Sequence, residues 1–289
     1  MLRPADLGHL FWLARPVNLL IAGLTFAFSA YISYLFRFDF AFDRVFWVEL
    51  LLLGAIMAAG YWINDVADLA IDRVNKLHAV RVSKFISAKK VMTAYFVANG
   101  VVLLLSLALP LKFQLLNVGA IGALYYYARL FKRQAVIGNL VIAALTAAVV
   151  LAGGLLAHLK MGHLWGMILA FLITFIREVC KDVEDLPGDL EHGLQTLPIL
   201  VGVKQTRSVI WVGLGLLLLA CNAPYFVHWV LAEQNLRVYV LLSMMLVQVP
   251  LLRVARLLRQ ARKPADYGVL SRLLKYLMVA GLITLLAIP

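Results

Sequence analysis

Long apolar stretches separated by short polar ones dominate the chain. The runs at 101–109, 140–156 and 209–220 hold very few polar side chains and are too apolar for the core helices of a soluble protein. A helix needs about 20 mostly apolar residues to cross the hydrocarbon core of a bilayer. The pattern therefore predicts an all-α, polytopic membrane protein with nine transmembrane helices around a central cavity. The predicted spans are about 17–36, 46–63, 91–109, 115–127, 136–157, 164–180, 209–227, 238–254 and 270–288.

The composition agrees with this prediction. Of the 289 residues, 63% are hydrophobic and only 15% are charged, and the mean hydropathy is +0.90. The net charge of +12 is compatible with a nucleic-acid partner, but the basic residues lie in short loops between apolar spans. Membrane topology and lipid headgroups explain them better, so we expect no nucleic acid. Cys180 and Cys221 lack metal or redox spacing and are interpreted as small buried hydrophobes.

The basic residues also predict an orientation. Alternate loops of a nine-span protein lie on alternate sides, and one side receives most of the Lys and Arg. The other side holds Arg37, Arg44, Lys112, Lys160 and Arg237. Because cytoplasmic loops carry the excess of Lys and Arg, we predict a cytoplasmic N-terminus and an outside C-terminus. Residues 1–14 are expected to form an interfacial helix, with no cleavable signal peptide.

Two polar stretches repeat one acidic pattern. Asp65, Asp68 and Asp72 follow the second span, and Asp182, Asp185 and Asp189 follow the sixth. Steps of three and then four residues keep side chains on one face of a helix, so each stretch is predicted to present a stripe of carboxylates. Like charges this close repel unless cations lie between them, and hard oxygen ligands suit Mg²⁺. Two facing stripes would make a metal-loaded clamp for a diphosphate.

A single acidic stripe is as often a solvated helix face. Here, however, most of the 15 Asp and Glu residues are gathered in these two places, which solvation alone does not require. The motifs, at 64–76 and 177–198, end spans four apart, so duplication of a four-helix unit is a possible origin. No domain boundary is evident, and we predict one transmembrane domain over 1–289.

Basic and aromatic residues accompany the acids. We select Arg73, Arg81, Lys132 and Lys181 as candidate phosphate-binding residues, although snorkelling explains a basic residue taken singly. A diphosphate with a bilayer-soluble organic part is most simply a prenyl diphosphate, which ionises to an allylic cation. Aromatic faces stabilise cations, and the candidates are Tyr125, Tyr126 and Tyr127, although an interfacial aromatic belt is the better explanation for any one of them taken singly. Asn18 is either a substrate contact or a helix cap.

These motifs resemble those of the UbiA superfamily of intramembrane prenyltransferases. The first match runs from Asn64 through the three aspartates to Arg73, Asn75 and Lys76, and the second joins Asp185 and Asp189 to Gly193. Further matches are Arg15-Pro16-x-Asn18 and Lys132-Arg133 with Gly138-Asn139. Within the superfamily, the stretch from Arg177 to Pro198 is most similar to that of digeranylgeranylglyceryl phosphate synthases.

The resemblance implies roles for single residues. Asn64, Asp68 and Asp72 would coordinate one Mg²⁺, and Asp185 and Asp189 a second. Asp65 and Asp182 would support them, and Arg81 and Lys132 would hold the diphosphate. The chain departs from the family pattern at Leu77 to Val80, where prolines are usual, and at Pro187, which should bend or end its helix.

The leading hypothesis is a Mg²⁺-dependent prenyltransferase. It would move a geranylgeranyl group from its diphosphate to a lipid-like hydroxyl acceptor such as geranylgeranylglyceryl phosphate, with Asp65, Asp68, Asp182 and Asp185 as the catalytic acids. The base that takes the acceptor proton is left open between Asp65, Asp182 and the departing diphosphate. Oligomeric state is not predicted.

Three alternatives stay open. The acceptor could be an aromatic ring, as in quinone, haem or chlorophyll pathways. A transporter would place its acids near the membrane midplane rather than at span ends. A CDP-alcohol phosphotransferase would gather its acids in a single cluster. The basic run from Arg253 to Lys263 is best explained by contact with anionic headgroups and less well by binding of the acceptor phosphate.

Overall fold

Thirteen α-helices make up the described part of the chain. The computed structural model describes residues 3–75, 82, 84–230 and 236–287, with no β-strand among them. In chain order the helices are α1 Pro4–Leu13, α2 Pro16–Ser33, α3 Arg44–Ala67, α4 Leu69–Asn75, α5 Ala88–Ser106, α6 Leu111–Arg129, α7 Ile137–Gly154, α8 Met161–Glu184, α9 Leu186–Glu191, α10 Leu197–Val230, α11 Arg237–Ser243, α12 Val249–Gln260 and α13 Pro264–Leu285. The predicted all-α fold is confirmed.

Eight segments in the described residues are long and apolar enough to cross a membrane. Helices α11 and α12, joined by a π-helical turn at Met244–Gln248, form one of them. The predicted fourth span corresponds to α6, which has 19 residues but does not reach the same apolar level. The protein is an integral membrane protein, and the count of nine spans stays a prediction.

Helix α8 lies at the centre of the bundle and packs against α7, α10 and α13. Its two faces differ in chemistry. Ile176, Val179 and Val183 are buried in the largest hydrophobic cluster, together with residues of α10, α12 and α13. Between them, at helical spacing, Arg177 and Lys181 line a cavity. This alternation places an apolar face on the core and a polar face on the site.

Small side chains let α2 and α7 approach closely. The Ser29 hydroxyl donates to the carbonyl of Val150 at 2.5 Å, and the Ser33 hydroxyl donates to the carbonyl of Gly154 at 3.1 Å. Both serines are buried. In a bilayer, packing of small residues and hydrogen bonds between helices supply much of the association energy. This contact therefore links the α3, α5 and α6 side of the bundle to α8.

The predicted N-terminal helix exists as α1, and it is tied to the bundle at both ends. The buried Asp6 carboxylate accepts hydrogen bonds from the Lys90 ammonium at 2.6 Å and from the backbone N–H of Arg3 at 2.7 Å. These bonds hold the pKa of Asp6 below its ordinary value. The Trp62 indole donates to the carbonyl of Leu10 at 3.0 Å. Helix α1 thus packs against α3 and α5.

Candidate active site

Both acidic stretches bend at their middle aspartate. Helix α3 ends before Asp68 and α8 ends before Asp185, and both residues have φ close to −90° and ψ of 0°. The hydrogen bonds from Asp72 N to Asp68 O and from Asp189 N to Asp185 O continue across each bend, at 2.8 and 3.1 Å. The expectation of one regular helical stripe is therefore wrong in the first stretch, whereas in the second the helix ends just before Pro187, as that proline predicted. Pro187 is not the shared cause, because the first bend contains no proline.

The two stretches meet at one polar cavity of about 430 Å³. Short helices α4 and α9, which follow the bends, pack against each other and close one side of it. Most of the predicted site residues line this cavity, namely Asn18, Asn64, Asp65, Asp68, Asp72, Lys132, Lys181, Asp185 and Asp189. The expectation that the distant motifs face a common space is confirmed. The role of each residue stays a prediction.

Lys132 reaches the first stretch from the short turn Phe131–Arg133, between α6 and α7. Its ammonium bonds to the Asp68 carboxylate, which also accepts from the Asn64 amide at 2.7 Å. Burial alone would lower the pKa of Lys132, but Asp68 more than offsets it and the pKa lies above its ordinary value. Gly138 allows this turn to pack closely, since a Cβ there would lie 3.0 Å from the carbonyl oxygen of Phe131.

Each acidic stretch also makes an ion pair or hydrogen bond to a neighbouring part of the chain. Arg15, just before α2, bonds to Asp65 at 2.6 Å. Asp182 lines neither of the two cavities described here and accepts from the Asn139 amide of α7 at 2.8 Å. We interpret this bond as positioning α8 against α7. The pKa of Asp189 is raised to about 6 by burial and by the nearby Asp185.

The donor set fits Mg²⁺ held partly by substrate. The Asn64 Oδ1 atom is buried and has no hydrogen-bond partner in the described part of the chain, so it offers an oxygen ligand without competition. No three His, Cys, Asp or Glu side chains among the described residues converge on one point as a preformed metal site. This suits Mg²⁺, which is usually held by one or two carboxylates, waters and substrate phosphates rather than by a protein cage.

An apolar cavity of about 230 Å³ continues from the polar one. The two share Arg15, Asn18, Asn64, Arg177 and Lys181 in their linings. Beyond these residues the apolar cavity is lined mostly by aliphatic and aromatic side chains of α2, α3, α6 and α7. A polar group and a long apolar chain of one ligand could therefore occupy adjoining spaces.

Only one of the three predicted tyrosines faces this cavity. Tyr127 lines it, while Tyr125 and Tyr126 are more exposed and line neither cavity. Tyr126 packs instead on Phe131, and the Arg129 guanidinium lies over the Tyr125 ring. The prediction for these two is wrong because consecutive residues on a helix point in directions about 100° apart.

Other cavity residues were missed from the sequence. Tyr61 lines the apolar cavity, and its hydroxyl accepts from the Asn18 amide at 3.0 Å while the Arg15 guanidinium lies 4.6 Å from its ring centre. The sequence did contain a signal for Tyr61, because this residue precedes Asp65 by one helical turn. Lys275, whose ammonium bonds to Asn18 Oδ1, had no sequence signal. The side chain of Arg73 and the whole of Arg81 lie outside the described residues.

Comparisons with known proteins agree on one family. The UbiA prenyltransferase family matches residues 11–277. The digeranylgeranylglyceryl phosphate synthase of Sulfolobus acidocaldarius is 32% identical over 229 residues, which cover 75% of this chain and 82% of that protein. The enzyme of the same name from Methanococcus vannielii is 34% identical over 224 residues, covering 76% and 77%.

Solved structures share the fold. One, from work on digeranylgeranylglyceryl phosphate synthase in membranes, has a TM-score of 0.74 at 25% identity and covers 98% of both chains. A UbiA homolog from Archaeoglobus fulgidus bound to DMAPP and Mg²⁺ has a TM-score of 0.65 at 18% identity, covering 93% of this chain and 97% of that one. With a family match over nearly its whole length, the chain belongs to the UbiA prenyltransferase family.

Proposed function

We propose that this protein transfers a geranylgeranyl group from its diphosphate to the hydroxyl of geranylgeranylglyceryl phosphate, with Mg²⁺ as cofactor. One observation carries the proposal: a cavity rich in carboxylates and bases adjoins an apolar cavity inside the membrane-spanning bundle. This pairing matches a donor with a charged diphosphate and a long apolar chain. The relatives named above are synthases of the corresponding product.

The residues that would hold Mg²⁺ are Asn64, Asp68 and Asp72 for one ion, and Asp185 and Asp189 for a second. When bound, the ions would neutralise the carboxylates and the diphosphate together and stabilise charge on the leaving group. The unpartnered Asn64 oxygen supports the first set.

Basic residues would hold the diphosphate directly. Lys132 already lies at Asp68, and Lys181 lies one turn from Glu178, to which it donates at 3.0 Å. Both line the polar cavity, so their ammonium groups can donate to phosphate oxygens without a change of backbone. Fixed donors of this kind stabilise negative charge as it develops on the departing diphosphate.

Aromatic rings would face the reacting carbon. Tyr61 and Tyr127 line the apolar cavity, and Tyr127 lies close enough to Asp68 and Glu178 to be affected by their charges. As the carbon–oxygen bond of the donor breaks, its electron pair leaves with the diphosphate and an allylic cation remains. Ring faces attract such a cation.

The acceptor oxygen then bonds to that carbon and loses its proton. Asp65 lines the polar cavity, whereas Asp182 does not. Of the groups considered, this favours Asp65 or the departing diphosphate as the proton acceptor. The products are the ether-linked lipid phosphate and free diphosphate.

Replacing Asp68 or Asp185 with Ala tests the proposal. Prenyl transfer by purified protein in lipid vesicles should fall by at least about 100-fold in either variant, as expected when a group that stabilises the transition state is lost. Asp39→Ala is the matched control, because Asp39 is exposed and, among the described residues, its ion pair is with the exposed Arg37. Full activity in both Asp68→Ala and Asp185→Ala would refute the mechanism. Transfer to an aromatic acceptor instead would refute the assigned acceptor.

The orientation and the single domain belong to the same proposal. We place the N-terminus and the polar cavity on the cytoplasmic side, from the uneven distribution of Lys and Arg. Both native cysteines are buried, so a single cysteine introduced at an exposed site reports its side. Lys204→Cys in right-side-out vesicles should resist a membrane-impermeant maleimide until the membrane is opened. Labelling of intact vesicles would reverse the assignment.

A further inference from the structure

Lys275 differs from the other basic residues that line the apolar cavity, and from Lys132 in the polar one. Arg15 pairs with Asp65, Lys132 with Asp68, and both Arg177 and Lys181 with Glu178. Lys275 lines the apolar cavity near its polar end, and its ammonium bonds to the neutral amide oxygen of Asn18. Within the described ranges, no carboxylate lies within ion-pair distance of it. A half-buried cation with no counter-ion is costly inside a membrane and therefore indicates a ligand.

The charges around Lys275 also favour an anionic ligand. Arg177 and Arg15 are the charged groups that act on it most, and both repel it. The side chains that line the apolar cavity include four cations, Arg15, Arg177, Lys181 and Lys275, and two carboxylates, Glu49 and Glu178. Asp65 is paired with Arg15, so four cations meet three carboxylates and one positive charge is in excess. A phosphate monoester carries roughly −1.5 to −2 near neutral pH, so one such group would more than offset that charge.

Of the two cavities, Lys275 lines the apolar one, whereas the aspartates assigned to Mg²⁺ line the polar one. The four cations come from the start of α2, the polar face of α8 and the middle of α13. The Asn18 amide oxygen accepts from the Lys275 ammonium, and the Asn18 amide nitrogen donates to the Tyr61 hydroxyl. One turn before Lys275, Ser271 and Arg272 line the polar cavity, so the two spaces connect along α13. A ligand here would lie beside the donor diphosphate without sharing its metal ligands.

We propose that Lys275 and Arg177 bind the phosphate monoester of the acceptor lipid. This inference rests on the proposed function and extends it by assigning a second anion site, distinct from that of the donor diphosphate. Binding the acceptor phosphate here would hold the glycerol hydroxyl near the junction of the two cavities, where the reacting carbon of the donor would lie. It would also make the enzyme selective for phosphorylated acceptors.

The test compares two acceptors in two proteins. Wild type and Lys275→Met are assayed in vesicles with geranylgeranylglyceryl phosphate and with the same alcohol lacking phosphate. With the phosphorylated acceptor, kcat/KM of Lys275→Met should fall about 30-fold or more, as when one partner of a buried charge pair is removed. With the phosphate-free acceptor, the kcat/KM values of the two proteins should agree within about twofold, because this acceptor has no phosphate for Lys275 to bind. Lys275→Arg should recover much of the loss.

Further readouts separate this role from a structural one. The KM for geranylgeranyl diphosphate and the Mg²⁺ dependence should not change in Lys275→Met. Lys204→Met, an exposed site of the same residue type, is the matched control and should behave as wild type. An equal loss with both acceptors, or a higher KM for the donor alone, would overturn the assignment. Wild type without transfer to either acceptor would refute the proposed function instead.

Discussion

Gly153 lies at a close contact between α2 and α7, and replacing it with Ala should destabilise the bundle. A Cβ at this position would lie 2.4 Å from Ser29 Cβ and 2.7 Å from both Ser29 Oγ and the Phe26 carbonyl oxygen. Ordinary carbon–carbon contacts need about 3.5–4.0 Å. Because one of the clashing atoms belongs to the α2 backbone, rotation of a side chain cannot remove the overlap. The two helices must separate by roughly 1 Å.

The expected change in the folding stability of Gly153→Ala is the net result of opposing effects. Overpacking of a tight contact typically costs about 1–3 kcal/mol. Separation also stretches the bond from Ser29 to the Val150 carbonyl, and an interhelical hydrogen bond in a membrane is worth about 0.6 kcal/mol on average. Against this, Ala in a helix interior is favoured over Gly by about 1 kcal/mol. We expect a net loss of about 1–2 kcal/mol.

The matched control is Gly215→Ala in α10. A Cβ there meets nothing within 4 Å, so only the helix propensity should act and the variant should be slightly stabilised. Thermal unfolding of both variants in the same detergent, followed by circular dichroism, gives the comparison. Gly153→Ala should melt several degrees below wild type and Gly215→Ala at or above it. Equal midpoints for the two variants would refute the packing argument.

Two further predictions concern the cavity and the cofactor. Asn117→Leu removes the amide that donates to the buried Glu49 carboxyl at 3.1 Å. The folding stability should fall by about 0.6–1.7 kcal/mol, measured as a lower thermal midpoint. An unchanged midpoint would show that Glu49 finds another partner. Chelation of divalent cations should abolish prenyl transfer, and added Mg²⁺ should restore it in wild type but not in Asp68→Ala. Transfer that persists in excess chelator would contradict the assigned ligands.

The sequence by itself determined the kind of protein and most of its polar site. Apolar runs of span length leave few alternatives to membrane helices, because backbone groups in lipid must bond within their own segment. The aspartates were found because acids gathered in two places of an apolar chain are unusual, Lys132 because it follows the tyrosine-rich end of a span, and Asn64 because it begins the first family motif. The matched family pattern added their individual roles.

Only the tertiary structure decided which groups meet. Arg15 and Asp65 are 50 residues apart, and Asn18 and Lys275 are 257 apart, so no local pattern joins them. The bend at Asp68 and the outward direction of Tyr125 and Tyr126 also escaped prediction, whereas Pro187 did predict the break near Asp185. Hydrophobic periodicity reports which face of a helix is apolar, but not which neighbour that face meets. The arrangement of cations around Lys275 depends on which helices meet, because α2, α8 and α13 lie far apart in the sequence.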